Sequence, residues 1–208
     1  LSVFGAIIGF YPIVLSFLIV FCRDCPVGMI QQLHRYRTPS DWHPGAHWLV
    51  QVLWFCVGSP LLALRWLPGS GWRVLLLRTF GAQIGAGCRI KPGLRVKFPW
   101  RLQVGQACWL AEDAWIDNLA SVRLGDRVCL SQGSYLCTGN HDFRSPDFTL
   151  RLGPITIGSD AWIAARAVVA PGSIIGPGAV VALGAVVSGK VPSGVIVRGN
   201  PAVVVGDR

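Results

Sequence analysis

The amino-acid sequence predicts an all-β core wound as a parallel β-helix, preceded by an apolar, mainly helical extension. Three observations carry this. Aliphatic residues recur every six positions from Ile84 onward, and small residues recur four positions after each of them. The 25 glycines among 208 residues follow the same rhythm without the strict every-third spacing of collagen. A hydrophobic content of 52% with only 14% charged residues excludes disorder and suffices for one domain of ordinary size plus an extension.

Residues 1–28 form the first segment. Leu1 to Cys22 carry no charge, and at about 1.5 Å per residue a helix of that length reaches roughly 33 Å, sufficient to cross a bilayer even with a proline inside it. No basic stretch precedes the run and no small-x-small site follows it, which argues against a cleaved signal peptide. Two readings stay open: a membrane anchor, or a stretch ahead of the true start, since the chain opens on Leu1 and its one methionine is Met29.

Residues 29–80 are expected to be a helical, basic and apolar extension or cap. Trp48 to Leu64 is interrupted only by Gln51, Gly58, Ser59 and Pro60, which is short for a membrane span and suits an interfacial or packed helix. Trp48, Trp54, Trp66 and Trp72 with Arg65, Arg73 and Arg78 fit a lipid headgroup boundary or the end of the following domain. The net charge of +9 favours anionic partners, although no recognisable module or base-stacking motif points to nucleic acid. Seven cysteines form no disulfide framework, and the lone Cys22-x-x-Cys25 pair is assigned no metal.

Residues 81–208 are the β-helix. The aliphatic column runs Ile84, Ile90, Val96; Val104, Leu110, Ile116; Leu124, Leu130, Leu136; Ile157, Ile163, Val169; Ile175, Val181, Val187. Of the fifteen residues four positions later, twelve are Ala, Ser, Cys or Val, Cys88 and Cys108 among them. Each hexad is a short strand with a turn and three close one triangular coil, so about five coils stack at about 4.8 Å each into a core on the order of 24 Å long. Each coil opens on an aliphatic-Gly pair, read here as backbone freedom at the corners. One interruption is large: an insertion at about 139–156, where function is expected to sit, and where Asn140 breaks the small-residue column.

The hexad columns, Leu136-Cys137-Thr138-Gly139-Asn140-His141-Asp142, Asp160-Ala161-Trp162-Ile163-Ala164 and Arg198-Gly199-Asn200-Pro201-Ala202 together resemble the hexapeptide-repeat acyltransferases, in particular the colanic acid biosynthesis acetyltransferases and related bacterial sugar O-acetyltransferases. The resemblance spans about residues 72 to 205. It implies a left-handed parallel β-helix, a homotrimer, and acetyl-CoA as acyl donor in a groove between subunits. It further implies O-acetylation of a saccharide in polysaccharide biosynthesis; an intracellular donor puts this in the cytoplasm or on the cytoplasmic face of the inner membrane, and the composition of the N-terminal region allows contact with that surface. Carried over by residue, His141 is the general base, Ala164, Ala182, Gly184 and Ser188 are candidates for CoA contacts, and Pro201 lies near the adenine. The family's Thr-Lys-Asp turn is replaced by Ser188-Gly189-Lys190, which displaces the cation that would reach a CoA phosphate; Arg166 and Arg198 are further candidates for that role.

The chemistry asks for such a base. A sugar hydroxyl is a poor nucleophile until it loses its proton, and an imidazole titrating near neutrality takes it, typically for a gain of about 10² to 10⁴ in rate. The twenty-residue coil length stacks Cys137 on Asp117 and Thr138 on Asn118, making Asp117 and Asn118 candidates for the acceptor hydroxyls, together with Asp142 beside the base. Two alternatives compete on the same architecture. A zinc-dependent β-helix carbonic anhydrase needs three histidines, whereas His141 stands alone in the repeat region, so no metal is expected. A catalytically silent scaffold or membrane-associated assembly protein leaves His141 and its loop unexplained.

Overall fold

The computed structural model describes residues 32–208; the anchor and start-site readings of residues 1–28 lie outside the described residues, as do Cys22 and Cys25. The chain divides into a main unit, residues 38–141 with 150–208, and a second unit whose described part is residues 32–37 with 142–149.

The main unit is a parallel β-helix of five complete coils and two strands of a sixth. Coil one comprises β1 (Gln83–Ile84), β2 (Arg89–Ile90) and β3 (Arg95–Val96); coil two β4 (Leu102–Val104), β5 (Trp109–Leu110) and β6 (Trp115–Asp117); coil three β7 (Val122–Leu124), β8 (Cys129–Leu130) and β9 (Tyr135–Cys137). A hairpin, β10 (Gly139–His141) and β11 (Leu150–Leu152), then leaves the stack. Coil four is β12 (Ile155–Ile157), β13 (Trp162–Ile163) and β14 (Val168–Val169), coil five β15 (Ile174–Ile175), β16 (Val180–Val181) and β17 (Val186–Val187), and the last turn β18 (Lys190–Val191) and β19 (Val195–Gly199), closed by antiparallel β20 (Ala202–Asp207). Corresponding strands stack into three parallel sheets, I from β1 to β18, II from β2 to β19 and III from β3 to β17.

All fifteen residues of the aliphatic column are buried, because at a two-residue strand only one side chain can point inward and the hexad always supplies an aliphatic there. The small residues fill the space between them, Cys108 fully buried and Ala161, Ala167, Ala179 and Ala185 at 1% exposure or less. Burial pushes the Cys108 thiol up to about 11, so it is a packed apolar group at neutral pH.

The corner glycines have a different reason from the one expected. At Gly85, Gly105 and Gly125 a Cβ would stand 2.5–2.6 Å from backbone atoms of the next coil; the constraint is close approach. Left-handed backbone falls instead two residues later, in the row Gly87, Ala107, Arg127, Asp160, Gly178 and Gly194, all with φ between 54° and 72°.

The extension before the β-helix is helical. Helix α1 (Trp48–Leu53) runs through a wide π-turn (Trp54–Gly58) into α2 (Ser59–Ala63), and the Ser59 N–H bonds back to Trp54 O. Pro60 has no N–H and its ring would collide with the carbonyl four residues earlier, which a widened turn relieves. One narrow stripe, Trp54, Gly58 and Leu62, is buried. The Trp54 ring lies against Gly58 and 5.0 Å from Phe80, and its Nε1 donates to Lys97 O at 2.9 Å on coil one. Helix α3 (Gly71–Thr79) adds a second contact with β1 and β2. Of the three arginines expected at a headgroup boundary, Arg73 is fully buried. Its guanidinium donates to Leu64 O, Leu67 O and Gly69 O, tying down the loop between helices, and burial lowers its pKa. Arg78 donates to Ile84 O, and Arg65 alone points outward, paired with Asp113.

Candidate active site

Three corners run the length of the prism: the first from sheet I to II, the second from II to III, the third from III to I. His141 belongs to the third. The register pairs Asp117 with Cys137, as the coil length predicts, and the next residue turns the chain outward. Thr138, fully buried, governs that turn. Its N–H and hydroxyl both donate to Asp117 O at 3.1 and 3.0 Å, its Oγ1 accepts the Ala120 N–H at 2.9 Å, and its carbonyl accepts the Gly153 N–H at 2.9 Å. Both legs of the hairpin are thereby pinned to the coil below. His141, half-buried, pairs with Leu150 across the hairpin. Asn140 is exposed and its Oδ1 accepts the His141 N–H at 2.7 Å; it leaves the small-residue column because the chain has already left the prism.

Below the hairpin is a polar cluster. The Asp117 carboxylate has Lys97 Nζ 3.1 Å from Oδ1 and accepts the Tyr135 hydroxyl on Oδ2 at 3.2 Å, with its side chain only 14% exposed. Tyr135 stacks on Trp115 at 4.5 Å between ring centroids, and Arg95 lies 4.4 Å over Trp115. Burial first, then the neighbouring Cys137 and Asp117, raise the Tyr135 pKa, so this phenol stays a donor. Lys97, Trp115 and Tyr135 were not singled out from the sequence, although the twenty-residue period aligns 95, 115 and 135 in one outward column.

Asn118 is placed differently from the expectation of acceptor binding. It is fully buried; its Nδ2 donates to Phe98 O at 2.7 Å and its Oδ1 accepts the Phe98 N–H at 2.9 Å. It is a rung between coils. Asp142 belongs to the second unit, where its Oδ1 accepts the Arg144 N–H at 3.0 Å and its own N–H reaches Thr149 O at 2.8 Å; it shapes the loop tip.

The residues proposed for CoA fall on two corners. Ala164, Ala182 and Gly184 lie on the second corner of coils four and five, with Pro201 at the tip of the β19–β20 hairpin on the same corner. The Ala164 and Ala182 N–H groups are spent on Val181 O and Val197 O, both at 2.9 Å. What they offer a ligand is a small surface and carbonyl lone pairs. Gly184 has φ of +68° and nothing within 4 Å of where a Cβ would stand, so its main chain is open to close approach, and exposed Arg166 stands on this corner beside Ala164. Exposed Ser188 sits on the third corner, exposed Lys190 opens β18 just past it, and exposed Arg198 is on β19.

Comparison with known proteins bears on the family and the fold. The family described as bacterial transferase hexapeptide (six repeats) matches residues 154–189. Over 181 residues the chain is 39% identical to the colanic acid biosynthesis acetyltransferase WcaF of Escherichia coli, covering 86% of this chain and 98% of that protein. It is 35% identical over 136 residues to nodulation protein L of Rhizobium leguminosarum, covering 64% of this chain and 71% of that one. Among solved structures, a hexapeptide-repeat acetyltransferase of Vibrio cholerae complexed with acetyl coenzyme A has the same fold, with a TM-score of 0.69 at 24% identity over 78% of this chain and 91% of that one. Identity on this scale over nearly the whole of WcaF, on a prism whose every coil follows the hexad rule, means that the chain belongs to the hexapeptide-repeat acetyltransferases and is an acyltransferase.

Proposed function

We propose that the protein transfers the acetyl group of acetyl-CoA to a hydroxyl of a saccharide in polysaccharide biosynthesis, with His141 as general base and with active sites formed between the chains of a homotrimer. The observation that carries the reading is the division of candidate residues between corners. His141 leaves the third corner, whereas Ala164, Ala182 and Gly184 line the second, across sheet III. Two chains placed side by side bring one corner to the other; one chain alone does not. The relationship to WcaF supports a saccharide acceptor, and an intracellular acyl donor puts the reaction in the cytoplasm or at the inner face of its membrane.

Acetyl-CoA, when bound, supplies an acyl group already activated as a thioester. His141 accepts the proton of the attacking hydroxyl as the new C–O bond forms and the C–S bond breaks, and returns it to the departing thiolate. Asp117, drawn toward Lys97 and Tyr135, is positioned to receive acceptor hydroxyls one coil below the hairpin, and the exposed cations Arg166, Lys190 and Arg198 suit the CoA phosphates.

The test is release of free CoA thiol with nucleotide sugars, lipid-linked oligosaccharides and simple glycosides as acceptors. His141→Ala is expected to lower turnover by at least ~10² while CoA binding and melting temperature are retained, since the side chain lies outside the prism. Unchanged turnover overturns the base assignment. CoA binding without thiol release across the panel would favour the silent scaffold.

A further inference from the structure

The helix over Trp48–Ala63 buries only its Trp54, Gly58 and Leu62 stripe, and what it turns outward is as apolar as what it packs. Trp48, Leu49, Val52, Leu53 and Val57 are each between 48% and 61% exposed, and Phe55, whose ring meets Phe98 edge-on, is still 46% exposed. From Trp48 to Leu64 there is no charged residue at all. A helix in water shows its polar face outward, and one that is apolar all round is normally covered.

We propose that this helix lies flat on the surface of an anionic lipid bilayer, holding the first coil of the β-helix toward the membrane. Three features favour lipid over a second protein. From Trp48 to Leu64 the outward face carries no charged side chain of the kind that fixes register between protein surfaces. Trp48 at its start and Trp66 just past its end are 61% and 76% exposed, a placement suited to the level of the headgroups. The same chain carries the uncharged run Leu1 to Cys22 and a net charge of +9, so a second lipid-seeking segment and an attraction to anionic headgroups act in the same direction. The helix has no charged face of its own because the prism occupies that side.

The experiment is co-sedimentation of the full chain with vesicles of phosphatidylethanolamine and phosphatidylglycerol, and with vesicles of phosphatidylcholine. Binding is expected to be tighter to the anionic set, and brominated acyl chains are expected to quench a part of the fluorescence that Trp48→Phe removes. The triple variant Leu49→Glu, Leu53→Glu, Val57→Glu, and its neutral counterpart with Gln at the same positions, are both expected to bind at least ~10-fold more weakly at an unchanged melting temperature. Undiminished binding of both variants overturns the proposal by placing attachment elsewhere in the chain, as does a parent protein that ignores vesicles. Conversion of the variants to a smaller oligomer without lipid also overturns it, because the face is then a contact between copies. Turnover on a soluble glycoside, measured in parallel, keeps this outcome separate from the assignment of His141.

Discussion

Gly105 and Ala107 stand two residues apart on the first corner and respond to opposite constraints. A Cβ on Gly105 would sit 2.6 Å from the backbone of Gly125, which is part of a hydrogen-bonded stack and cannot retreat. Gly105→Ala is therefore expected to destabilise by roughly 3 kcal/mol, the upper end for overpacking. Ala107, at φ of +55°, carries a Cβ that the left-handed region disfavours, so Ala107→Gly is expected to stabilise by up to about 1 kcal/mol, a rise of some 2–4 °C in melting temperature. Thermal denaturation of the two variants decides both. At this scale the sequence was legible where a residue repeated and opaque where it did not. The columns gave the inward residues and the stacking of Cys137 on Asp117, and the odd histidine at the insertion stood out. The tasks of Asn118 and Arg73 stayed hidden because a polar residue bound to backbone carbonyls looks, in sequence, like any solvated one.

Among the elements, the turn into the hairpin that carries His141 is braced by one hydroxyl in addition to the main chain. Thr138 Oγ1 accepts from Ala120 and donates to Asp117, so Thr138→Val leaves the half-buried Ala120 N–H without its acceptor, at a cost of about 1 kcal/mol. Faster hydrogen exchange at the Ala120 amide is the expected sign, with Thr138→Ser restoring most of the protection; an exchange rate equal to the parent's would show that the hairpin is held otherwise. The insertion was visible as a break in period, but its antiparallel pairing was not, since Gly139–His141 and Leu150–Leu152 are short and carry no alternation. The helix was read as packed or interfacial, two options that periodicity could not separate because nearly every position is apolar. The structure shows one packed stripe and leaves the remainder outward.

For the whole molecule, the split of candidate residues between corners makes a prediction about mixtures. His141→Ala spoils one half of each proposed site, and Ala182→Trp, which fills the small surface of the second corner, spoils the other. Each variant alone should be nearly inactive. Trimers refolded from equal amounts should recover about a quarter of the parent turnover, the share of interfaces that combine two intact halves; no recovery would place the whole site within one chain. The fold at this scale was the most legible feature of all, because every coil restates it, whereas assembly leaves no periodic trace. The insertion has one more consequence. Across it, the coils resume as though nothing had intervened: Ile155 pairs with Val122, and Val168 with Tyr135. Residues 142–149 can therefore lengthen, shorten or change composition at little expense to the stack, so that the length of this loop is uncoupled from whether the prism folds.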